Sequence, residues 1–99
     1  MNPALALPAE ITIYLAAELR AAWLAWMDTP AAREPELDVD GSAVEEVDAA
    51  GLQCLLALSH SLQARQQQLR LRQASDTLSQ ACRRLGLAHL LADAEGAQA

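Results

Sequence analysis

The sequence predicts an α/β fold: a small, mainly parallel sheet of about three to four strands, covered by three to four helices. Short segments of period-two alternation are separated by longer ones in which apolar residues recur at helical spacing. That strand–helix order repeats three times along the 99 residues. Strands separated by helices need crossover connections and therefore pair in parallel. Composition agrees, being 53% hydrophobic and only 3% aromatic with no Phe, so the core must come from Leu, Ala, Val and Ile. This length suits one domain, 1–99, with its core at about 4–91 and a frayed tail over 92–99.

From Ala4 to Ile13, Leu5 and Leu7, then Ile11 and Ile13, alternate around Pro8. The pattern predicts an extended strand interrupted by a bulge or turn, because proline cannot donate to a ladder. Leu15, Leu19, Ala22, Trp23 and Trp26 then form one face of a helix. Asp28-Thr29-Pro30 ends it, since the residue before a proline leaves the helical region. Glu36 to Asp40 reads as a short strand with Leu37 and Val39 on one side, followed by a turn at Gly41-Ser42. A second helix is expected from about Ala49 to Gln67, with Leu52, Leu55, Leu56, Ser59 and Leu62 inward and Asp48 as its N-cap. Gln68 to Gln73 alternates Leu69 and Leu71 with arginines, the mark of a half-buried strand. The third helix runs from Asp76 behind a Ser75 cap, with Leu78, Ala81, Cys82 and Leu85 inward. Gly86 stands where a left-handed C-cap belongs.

The net charge of −6 and the absence of a basic stripe argue against nucleic acid as a partner. All seven basic residues are Arg, mostly in the C-terminal half, while the acids cluster between Glu34 and Asp48. That asymmetry fits either a solvated acidic loop or a partner with a basic patch. No apolar run reaches the roughly 20 residues that span a bilayer, and no secretory-type leader opens the chain, so the expected location is cytoplasmic. Cys54 and Cys82 lack metal-ligand spacing and read as buried reduced thiols. His60 and His89 stand apart as surface residues. No nucleophile elbow, phosphate-binding loop or dinucleotide fingerprint is present. Asp38, Asp40, Glu45, Glu46 and Asp48 could be imagined around Mg²⁺, but receiver-type phosphotransfer also needs a Lys, and the chain has none. No catalytic residue, metal or cofactor is expected.

The stretch LDVDGSAVEEVDAAGLQCLLAL, Leu37 to Leu58, is the most specific part of the sequence. Val47, Asp48, Ala49, Ala50, Gly51 and Leu52 resemble the central pattern of STAS domains, the family of anti-sigma-factor antagonists and sulfate-transporter tails. The flanks LALPAEITIYLAAELRAAWLAW and Gln68 to Leu91, closing on LGLAHLL, resemble the family's first and last strand–helix units. The resemblance implies a small STAS-like sheet and a non-enzymatic adaptor that binds a protein partner at the start of the second helix, through Asp48, Ala49, Ala50, Gly51 and Leu52. It also implies a Ser or Thr after the Asp, phosphorylated by a partner kinase. That position is Ala49, followed by Ala50, so the hydroxyl is missing and no phosphorylation is expected there. Ser42, in the same loop, reads as a turn residue beside Gly41.

Small residues at the first turn leave backbone N–H groups of a positive helix end open to a partner or an anion. Gly51 fits that reading, and fits equally well a close packing of the helix on a strand. Many relatives carry an additional strand before the first one assigned here, so an uncovered sheet edge is expected. That edge, or the helix bearing Trp23 and Trp26, could serve as a dimer or partner surface, with one tryptophan in the core and the other partly exposed. The resemblance implies bacterial signalling, in chemotaxis or partner switching with a kinase or sigma-regulatory component. The alternatives are an accessory subunit bound to the ATPase of an ABC-type lipid transporter, where Thr is usual at the position of Ala49, and a nucleotide- or anion-binding module.

Overall fold

A computed structural model describes residues 3–91. In chain order the elements are β1 (Leu5–Ala6), β2 (Glu10–Ile11), α1 (Ala16–Met27), β3 (Glu36–Asp40), β4 (Glu46–Val47), α2 (Ala49–Ala64), β5 (Gln68–Arg72) and α3 (Asp76–Arg84). Single 3₁₀ turns lie at Pro30–Ala32 and Ala88–Leu90. The main sheet has the order β1-β3-β5 with every pair parallel, as strand–helix alternation requires. The expected tail at 92–99 lies outside the described residues.

In β3 and β5 only alternate residues are buried. Leu37, Val39, Leu69 and Leu71 point into the core. The opposite face carries a charge ladder in which Asp38 stands opposite Arg70 and Asp40 opposite Arg72. Arg72 Nε donates to Asp38 Oδ1 at 3.1 Å. Cross-strand opposite charges let this parallel sheet keep one wet face. The ladder also ties part of the acidic cluster to the arginines of the C-terminal half.

The segment Ala4–Ile13 is two strands in two sheets, where the sequence suggested one interrupted strand. Leu7 N still donates to Asp40 O beside β3. Pro8 follows without an N–H, and the chain leaves the sheet there. Glu10 and Ile11 then pair in parallel with Glu46 and Val47 of β4 to make a second, two-stranded sheet. Ile11 is fully buried, whereas Ile13 lies beyond the strand in the turn into α1 and is 62% exposed.

On α1, Leu19, Trp23 and Met27 are buried, Leu15 and Trp26 are half-buried, and Ala22 is exposed. Trp23 is therefore the core tryptophan. Trp26 lies at the margin, its indole N–H donating to Ala4 O at 3.0 Å. Leu52, Leu55, Leu58, Ser59 and Leu62 form the buried stripe of α2, while Leu56, expected inward, is half-buried at its margin. That helix stops at Ala64, short of the expected Gln67, because Gln66 adopts a left-handed φ of 62°. Ser75 caps α3 by accepting from Leu78 N, and Leu78 and Cys82 are buried. Leu85, expected inward, is 52% exposed because it is the C-cap and has left the helical path. Gly86, directly after the cap, takes the expected left-handed conformation at φ 74°. Leu91 bridges Leu71 in parallel at the outer side of β5, and among the described residues β1 forms the other edge.

Candidate docking site at the start of the second helix

The site is built by the small β2–β4 sheet, which the sequence did not reveal. Its two strands end together, one running into the α1 turn and the other into α2. Asp48 stands at the junction with an extended backbone, φ −125° and ψ 179°, as an N-cap requires. Its carboxylate is shared between the two chain segments. Oδ1 accepts from Gly51 N at 2.8 Å and Oδ2 accepts from Ile13 N at 3.0 Å. The Gly51 N–H, with that of Ile13 next, holds the Asp48 carboxyl below its ordinary range. Asp48 thus fastens α2 to the entry of α1, and both carboxylate oxygens are engaged by backbone donors.

The five residues singled out from the sequence part company here. Gly51 and Leu52 are buried, Asp48 and Ala50 are half-buried, and Ala49 is exposed. A Cβ at Gly51 would overlap the carbonyl of Ile11. The group that approaches Gly51 closely is therefore the β2 backbone, the packing alternative left open by the sequence. An incoming molecule would meet Ala49 and Ala50 on this surface. Ser42 lies elsewhere, exposed in the turn after β3, its N–H bonded to Asp40 Oδ1 at 2.9 Å.

Beside Ala50 opens a groove of about 460 Å³ between α1 and α2. Ile13, Ala16, Arg20 and Leu24 line one wall, and Ala50, Gln53, Ala57 and Ser61 line the other, with Trp23, Cys54 and Leu58 also contributing. The groove was missed because the inward stripe of α1 dominates its pattern. The signal was nevertheless present, since Ile13, Ala16, Arg20 and Leu24 recur at offsets of three, seven and eleven. Both ends of the helix pair are fixed. Asp48 ties one end, and at the other Arg65 Nη1 donates to Met27 O at 3.1 Å while Arg65 Nη2 pairs with Asp28 at 3.4 Å.

Cys82 is buried, and desolvation pushes its thiol up to about 11. Cys54 is only half-buried, on the groove side rather than fully in the core as expected. His60 and His89 are exposed. Among the described residues no three His, Cys, Asp or Glu side chains come together as metal ligands, and no helix is long and apolar enough to cross a membrane.

Residues 2–92 match the family model described as "Mlab, STAS domain". No curated protein matches the chain. Among solved structures, a sulfate transporter family protein from Wolinella succinogenes is similar with a TM-score of 0.68 and 22% identity. The alignment covers 91% of this chain and 73% of that one, a likeness of fold. With the family match spanning nearly all of its length and the fold agreeing, the chain belongs to the STAS domain family.

Proposed function

We propose that this chain is a non-enzymatic adaptor that binds a protein partner through the exposed surface at the start of α2, in the cytoplasm of a bacterium. One observation carries the reading. At the α2 start both oxygens of the Asp48 carboxylate are engaged by Gly51 N and Ile13 N, so that exposed Ala49, with half-buried Ala50 beside it, is a small, uncharged contact point on a braced helix end. Rigid backbone lowers the entropy cost of docking. Ala49 has no hydroxyl, so regulation at this surface comes from the partner's side. Chemotaxis or partner-switching components are the partner class favoured here, and an ATPase subunit of a lipid transporter is the other. Gene neighbours separate the two.

The test is a pull-down from the native bacterium with the wild type and Ala49→Arg. Ala49 is exposed, so the substitution leaves the fold intact while placing a bulky cation on the surface. Gly51→Arg is unsuitable because it would break the α2–β2 packing. Ala49→Arg is expected to lose a specific partner that the wild type retains, with an unchanged circular dichroism spectrum. Retention of every specific partner overturns the proposal.

A further inference from the structure

The groove between α1 and α2 is an apolar island on an acidic molecule. Ile13 and Leu24 on its wall are 62% and 48% exposed, two of the four large hydrophobic residues left in solvent among the described residues. Tyr14, 87% exposed, follows Ile13 in sequence. No acid lines the groove, although the chain carries 13 of them. Arg20 is its one charged residue, and no acid among the described residues pairs with it. An anionic group is therefore the complement that this cation lacks.

The shape of the groove points to the rest of the occupant. One wall runs from Ile13, in the turn before α1, along the α1 stripe Ala16, Arg20, Leu24, and the other is the α2 stripe Ala50, Gln53, Ala57, Ser61. The 12 residues of α1 give that wall a length of about 18 Å, or roughly three helical turns. The alanines keep both walls low, so a third helix could settle into the valley between the two. The clamps at Asp48 and Arg65 fix the separation of the walls before anything binds. Ala50 belongs both to this groove and to the α2 start, so the two surfaces are continuous.

We propose that the α1–α2 groove receives an amphipathic helix of the protein partner, its apolar face on Ile13, Leu24 and Ala57 and an acidic side chain on Arg20. The proposal rests on the reading of the α2 start as a docking surface and extends it to a second, adjoining contact.

The test uses two fluorescently labelled synthetic helical peptides of about 18 residues, each with a leucine stripe, one carrying Glu and the other Lys beside that stripe. Anisotropy reads affinity, and amide shift mapping reads the position. The Glu peptide is expected to bind with shifts centred on Ala16, Arg20, Leu24 and Ala57. Ala57→Trp, which fills the valley, should weaken it by at least about tenfold. Arg20→Glu should reverse the preference in favour of the Lys peptide, each change being roughly two- to fivefold. Absence of binding, shifts mapping elsewhere, or an unchanged charge preference in Arg20→Glu overturns the proposal. So does tighter binding of dodecanoate than of peptide in the same groove, or a homodimer that Leu24→Glu converts to monomer. Failure here with partner loss in Ala49→Arg removes the groove alone. Peptide binding with partner retention in Ala49→Arg removes the α2-start reading instead.

Discussion

The Cα of Gly51 lies against the carbonyl of Ile11, leaving no room for a side chain between α2 and β2. The same carbonyl accepts from Asp48 N at 3.4 Å, so the small sheet and the helix start are closed on each other at one point. A helix-weakening residue is kept where any other would push the helix off the sheet.

Gly51→Ala should therefore destabilise the protein, although alanine is the better helix former by about 1 kcal/mol. The obstacle is backbone, which cannot rotate away, so overpacking outweighs propensity. A net loss of about 2 kcal/mol is expected, lowering Tm by roughly 4–8 °C per kcal/mol. Gly41→Ala meets mainly the Leu78 Cδ2 tip, which can move, and should cost less in the same melting experiment.

Asp48 gives the protein an acid limit. Its folded-state pKa is depressed first by the Gly51 N–H and then by that of Ile13. Its contribution is thus present above the unfolded value near pH 4 and lost as pH falls through the lower folded value. Asp40, lowered chiefly by the Ser42 N–H, acts in the same direction. Asp48→Asn should lower Tm at pH 7 and flatten the loss of stability below about pH 4, measured by melting across pH.

The thiols should separate cleanly. With its thiol raised to about 11 and buried, Cys82 should resist an aromatic disulfide reagent at pH 8 until the protein unfolds. Cys54, half-buried at the groove, should react in the native state. Because ionisation of Cys82 is suppressed in the fold, stability should fall as pH rises from the ordinary thiol range through about 11. Counting modified cysteines by mass spectrometry before and after denaturation checks the order.

Leu78 and Leu85 look equivalent in the sequence, seven residues apart on one apparent stripe. Leu78→Ala should cost about 2–5 kcal/mol, since Leu78 is fully buried. Leu85→Gln should stay within about 0.5 kcal/mol, because Leu85 is the exposed C-cap. Denaturant unfolding of the two variants reads the difference.

The sequence by itself determined the parallel pairing of the strands, the N-caps at Asp48 and Ser75, the left-handed Gly86 that ends α3, the buried faces of β3 and β5 and most of the buried face of α2. Each is written in local periodicity or in a residue whose chemistry suits one backbone position. Tertiary structure decided where Ala4–Ile13 divides, since β2 and β4 are two residues each, too short for a period, and are made by pairing across the chain. It also decided the partner of Gly51, because local sequence shows that a side chain is missing but not what fills the space. The groove likewise required α1 and α2 to be set side by side. Their second stripes acquire meaning only when Asp48 and Arg65 hold the two helices in register.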